Sequence, residues 1–111
     1  MANTFKNALS RNVGTSAVAV YSAPTSPAAK SICIELDVCN TSSSSVTCDA
    51  YITSGGLDYY IVKGAPVPVG GSLQIIAGQK IVLNGANSDS LKIVSSAAAS
   101  LDCIASILED V

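Results

Sequence analysis

Apolar residues recur at every second position along this chain in short runs, and clusters of Ser, Gly and Pro separate the runs. The clearest run is Ser31–Cys39, where Ile32, Ile34, Leu36 and Val38 alternate with Cys33, Glu35, Asp37 and Cys39. A period of two predicts a β-strand with the first set on a core face and the second turned outward. After a loop at Asn40–Ser45, the run Val46–Thr53 puts Val46, Cys48, Ala50 and Ile52 on one face. A turn centred near Ser43 sets Val38 opposite Cys48, so the core faces coincide and an antiparallel hairpin is expected.

Further strands are predicted at Thr15–Tyr21, Asp58–Lys63, Ser72–Ala77, Lys80–Leu83, Leu91–Ser95 and Leu101–Leu108. Ala23-Pro24-Thr25-Ser26-Pro27 breaks the first of these, because proline lacks a ladder donor and fixes φ. Ser54-Gly55-Gly56 is a turn, and Gly64–Gly71, with two prolines, is expected to cross between sheets. Gly78-Gln79, Asn84–Asp89 and Ala97–Ala99 are the remaining connections. Seven to eight short strands with regular turn signals predict an all-β fold, a single antiparallel β-sandwich that is jelly-roll-like. Residues 1–13 carry no strand pattern and read as a loose N-terminal arm, leaving 14–111 as the sandwich domain. Phe5 and Leu9 have no evident internal partner there and are expected to contact a neighbouring subunit.

Composition narrows the function. The 111 residues suit one domain. The net charge is −2, and the cations Lys6, Arg11, Lys30, Lys63, Lys80 and Lys92 are scattered, so no basic face for nucleic acid is expected. No apolar run approaches 18 residues, which argues against a membrane-spanning helix. The opening Met-Ala-Asn-Thr-Phe-Lys-Asn-Ala-Leu-Ser-Arg lacks the apolar stretch of a secretory signal, and synthesis in a cytoplasm is expected. Charged residues are only 13% of the chain, whereas soluble monomers lean on surface charge. A neutral surface rich in Ser, Thr, Asn and Gly packs readily against copies of itself, and a homo-oligomer is expected.

The chain has little to do chemistry with. It contains no His, so a Cys nucleophile lacks its usual base. Glu35 and Asp37 share a strand face and read as solvated polar residues rather than a glycosidase pair. Neither Gly55-Gly56 nor Gly70-Gly71 is followed by the Lys-Ser/Thr of a phosphate loop. Asn87 and Asp89 match no calcium-loop spacing. No enzyme activity, cofactor, metal or small-molecule substrate is expected. Tyr21, Tyr51, Tyr59 and Tyr60 offer a different reading, a stacking platform of a carbohydrate- or host-binding module.

Cys33, Cys39, Cys48 and Cys103 form no CxxC pair, which argues against zinc. Cys33 and Cys39 lie about 20 Å apart along an extended strand, too far to bond each other. Cys48 and Cys103 sit on apolar faces and read as buried thiols. Cys33 and Cys39 are expected to face outward, as free thiols or as candidates for a disulfide between subunits, oxidised only after release from a reducing cytoplasm, with a bridge within the chain as the remaining alternative.

The segment Asp58-Tyr59-Tyr60-Ile61-Val62-Lys63-Gly64-Ala65-Pro66-Val67-Pro68-Val69-Gly70-Gly71-Ser72-Leu73 resembles one recurring in small virion structural proteins of tailed bacteriophages. Gln79-Lys80-Ile81-Val82-Leu83, Asp89-Ser90-Leu91-Lys92-Ile93, Ser106-Ile107-Leu108-Glu109 and Ala17–Pro24 are similar to the same pattern. The resemblance covers about residues 15–109, and its motifs are turns and strands without catalytic content. Cys33, Cys39 and Cys103 depart from it, since members carry apolar residues there. The resemblance implies a β-sandwich subunit of the neck, collar or tail, or a capsid decoration protein, with other virion proteins as partners and the virion as its location.

Overall fold

A computed structural model describes residues 3–25 and 29–110. Met1, Ala2 and Val111, and Ser26 and Pro27 of the expected break after the first strand, lie outside the described residues. Among the described residues eight strands run in chain order: β1 (Asn3–Val13), β2 (Val18–Ser22), β3 (Lys30–Asn40), β4 (Val46–Ser54), β5 (Leu57–Val67), β6 (Ser72–Asn84), β7 (Ser90–Ser95) and β8 (Leu101–Asp110). They form two four-stranded sheets, β1-β8-β3-β6 and β2-β7-β4-β5, with every pairing antiparallel. Only β4 and β5 are joined within one sheet; every other connection carries the chain across the sandwich. This is the jelly-roll arrangement.

The core lies between the sheets. Leu36, Ile76, Leu83, Leu101, Cys103 and Ile107 from the first sheet meet Val46, Cys48, Ala50, Val67, Leu91 and Ile93 from the second. Alternation on β8 is regular: Leu101, Cys103, Ala105 and Ile107 are buried, and Asp102, Ile104, Ser106 and Leu108 face outward. The β4–β5 turn needs positive φ at two successive residues, which Gly55 (60°) and Gly56 (81°) supply without steric cost. Gly85 answers a different need. A Cβ there would sit 1.8 Å from the Pro24 carbonyl oxygen, so only glycine lets the turn after β6 pack against the link between β2 and β3.

Three expectations are corrected. The segment 1–13 is not a loose arm: from Asn3 it is a strand of the sandwich, paired with β8 from Asn3↔Asp110 to Ser10↔Cys103. The runs Ser31–Cys39 and Val46–Thr53 do not form a hairpin, because β3 and β4 lie in different sheets. The loop between them is held by Asn40, itself buried, which closes the crossover with its own side chain. Its Nδ2 donates to the carbonyls of Ser44 (2.8 Å) and Val67 (3.0 Å), and its Oδ1 accepts from the Ser42 amide (2.9 Å) and hydroxyl (2.7 Å). Finally, Ser72–Ala77 and Lys80–Leu83 are one bulged strand rather than two. The crossing expected at Gly64–Gly71 occurs between β5 and β6, with Gly64–Val67 completing an edge strand, where proline is tolerated.

Candidate assembly surface

Strand β3 places the chemistry-bearing side chains, and it carries a bulge. Pairing with β8 passes from Cys33↔Ile107 to Glu35↔Ser106, so Ile34 is an extra residue on β3. The bulge reverses the alternation: Cys33 joins Leu36 and Val38 on the core face. The expected outward orientation of Cys33 is therefore wrong, and its side chain is fully buried. Ile32 and Ile34, expected in the core, are half-buried on the outer side.

Three thiols are thus interior. Burial pushes Cys33 and Cys48 up to about 11 and Cys103 up to about 12, with Cys48 and Cys33 adding to the effect at Cys103. Such thiols are inert at neutral pH, because the thiolate is the reactive form. Cys39 alone is half-buried on the outer face, opposite Asp102 and Ser72 on the flanking strands. A shallow groove beside it is lined by Asp37, Ser72, Gln74, Asp102 and Ile104. Desolvation and its neighbour Glu35 raise the Asp37 carboxyl to about 6. Among the described residues no three carboxylate or thiol groups converge as a metal site would require.

The outer face of the β1-β8-β3-β6 sheet is apolar at several points. Phe5 is 75% exposed, Leu9 66%, Val82 58% and Ile104 52%. Cross-strand register aligns them. Phe5 lies opposite Leu108, Leu108 opposite Ile32, and Ile32 opposite Val82, while Leu9 lies opposite Ile104. Directly opposed residues share a face, so one apolar row spans the four strands.

The inner side of β1 is polar and engaged. Lys6 Nζ lies 3.6 Å from Glu109 Oε2. The Tyr21 hydroxyl donates to the Glu109 carboxylate and lies 2.7 Å from the Ser31 hydroxyl. Burial, then the Glu109 bond, raises Tyr21 to about 12. The cluster fastens β2 of one sheet to β1, β3 and β8 of the other.

The four tyrosines do not assemble into a platform. Tyr21 sits in that cluster and Tyr51 is buried under Tyr60, with ring centroids 4.9 Å apart. Lys63 covers Tyr60, its Nζ 4.4 Å from the ring centroid. Tyr59 lies opposite Ile52 and Tyr60 opposite Tyr51, so the two point to different faces of β5.

Comparison with known proteins returned no matching protein-family model and no similar curated protein. A solved structure shares the fold. A chain in the structure of the Gx strain of infectious bursal disease virus is similar over 96% of this chain and 32% of its own length, with a TM-score of 0.53 and 12% identity. The subunit of Bacillus endospore appendages, described as disulfide-linked pili, is similar over 96% of this chain and 86% of its own length, with a TM-score of 0.44 and 16% identity. The chain therefore spans about a third of the virus chain it matches, and the likeness at this identity is one of fold.

Proposed function

We propose that this protein is a structural subunit of a virion, present in many copies and without catalytic activity, that packs around the head-to-tail junction of a tailed phage. One observation carries the reading: a charge-poor jelly roll turns a row of large apolar side chains, Phe5, Leu108, Ile32 and Val82, outward across a whole sheet face. Extended apolar patches mark interaction surfaces. The fold is one found in the structure of a virus, and the resemblance of residues 15–109 to tailed-phage virion proteins of the neck, collar, tail or capsid supports a place on the particle. Immunogold labelling of purified phage particles tests the proposed location. Gold at the neck is the expected outcome, and gold spread over the shell would mean capsid decoration instead.

A disulfide between subunits would use Cys39, the one thiol among the four that reaches the surface. Non-reducing electrophoresis of particles should show a Cys39-dependent band at twice the chain mass that collapses with reductant and is absent from the Cys39→Ser variant. A linked band that persists in that variant would contradict the assignment.

A further inference from the structure

The two sheets have four edges, and three carry features that block an added strand. Strand β2 is five residues long and bulged between Ala19 and Tyr21. Strand β5 shifts register twice, holds Gly64 at φ 67° and contains Pro66, which has no N–H to offer. Strand β6 shifts register twice and holds Lys80 at φ 57°. Strand β1 has no bulge, Gly, Pro or positive φ over Asn3–Ser10, and its one charge there, Lys6, lies on the inner side, paired with Glu109. Eight consecutive residues pair with β8 without a shift, no Gly or Pro interrupts them, and the bulge with Asn12 at φ 54° comes only after Ser10. Its outward side chains are not the charges that usually protect an edge but Phe5 and Leu9.

The same segment is complementary to itself. Two copies of β1 pairing antiparallel about a two-fold axis, with their outer faces on one side, must be centred on a residue, and three centres give long overlap. Centring on Lys6 sets Lys6 against Lys6, and like charges directly opposite are destabilising. Centring on Ala8 sets Phe5 against Arg11 and Leu9 against Asn7. Centring on Asn7 sets Phe5 of each copy against Leu9 of the other, Lys6 against Ala8, Thr4 against Ser10 and Asn7 against Asn7. Only that register pairs apolar with apolar and polar with polar on the outer face. It also joins Leu108 and Phe5 of one copy to Leu9 and Ile104 of the partner subunit in a continuous row, and repeats the row by symmetry.

We propose that β1 pairs antiparallel with β1 of a second copy about a two-fold axis through Asn7, fusing two sandwiches through one eight-stranded sheet. The inference rests on the reading of a multi-copy subunit and names its contact. An isologous contact of this kind closes on itself, so it makes a dimer, and any larger assembly is built from that dimer through other surfaces.

Sedimentation velocity over a concentration series is the test. The wild-type protein should sediment as a dimer of twice the 11.2 kDa chain mass, dissociating on dilution. Phe5→Lys and Leu9→Glu should each weaken association about tenfold or more, since each sets a charge against an apolar side chain. The double variant F5K/L9E should recover the dimer, because the register brings the two new charges together across the axis. Hydrogen exchange of the wild-type protein should show residues 4–10 gaining protection with concentration, which keeps the test independent of the variants. A wild-type monomer at every concentration, a dimer indifferent to both single changes, a double variant weaker than the singles, or a dimer without protection in β1 would each overturn the proposal. A protein abundant in particles yet monomeric in solution would overturn this contact and leave the virion reading standing; a β1 dimer absent from particles would do the reverse.

Discussion

At the scale of single residues, the bulge at Ile34 decides what β3 buries. Leu36 is fully buried, whereas Ile34 is half exposed. Leu36→Ala should therefore cost about 2–5 kcal/mol, the range for a truncated core leucine. Ile34→Ala should cost clearly less, and denaturant melts of the two variants check the order. The Leu36–Val38 half of this strand was legible in the sequence because Glu35 and Asp37 mark the outer face. The Ile32–Ile34 half was not: Ile32, Cys33 and Ile34 are all apolar enough for a core, so no polar neighbour reveals where the alternation reverses. Titration gives a second test at this scale. Tyr21 is raised from 10.0 to about 12, Cys33 and Cys48 from 9.0 to about 11, and Cys103 from 9.0 to about 12. Each is neutral when protonated and has a raised folded value. Its stabilising contribution is therefore complete below the unfolded value and is lost as pH rises through the folded one. Above the Asp37 titration, which removes stability between about pH 4 and 6, the melting temperature should hold from about pH 6 to 9 and fall between pH 9 and 12, and Tyr21→Phe should remove the part of the fall that begins near pH 10. A flat profile to pH 12 would contradict the burial of these groups.

At the scale of elements, the strands were more readable than their connections. Most runs with period two are strands, but the β3–β4 connection, whose pattern predicts a hairpin, is a crossover. Coincident core faces are what both arrangements produce, since strands facing each other across a sandwich also turn apolar sides inward. What separates them is Asn40, whose buried side chain bonds to three residues and holds the loop in its crossing path. Asn40→Ala should cost about 1–3 kcal/mol by stranding buried polar groups, and Asn40→Asp should not restore it, because two donated bonds are lost. Strand β1 is illegible in the sequence for a different reason. Its Asn, Lys, Ala and Ser are poor strand formers, and it is a strand because β8 offers a ladder, a non-local cause. Deleting residues 2–12 should therefore impair folding by exposing β8 and removing the Lys6–Glu109 pair, seen as a lowered and broadened thermal transition. A truncated chain as stable as the full one would return the segment to the status of an arm.

At the scale of the whole molecule, the fold, the scarcity of charge and the apolar outer face point the same way. A 111-residue chain with 13% charged residues leaves large apolar side chains on one sheet face. Such a face is suited to being covered. Jelly-roll topology was legible as a fold class from the number and spacing of strands. The surface that gives it a use was legible only in part: Phe5 and Leu9 stand out as unpartnered in the sequence, but Val82 and Ile104 join them only through the register of four strands distant in the chain. The proposed role makes this protein a multi-copy structural component of a particle. Quantitative mass spectrometry of purified phage virions, calibrated with isotope-labelled peptides of this chain, measures it most directly. Many copies per particle are expected, retained through density-gradient purification and constant between preparations. Absence from the purified virions, or a trace amount that varies between preparations, would contradict that role.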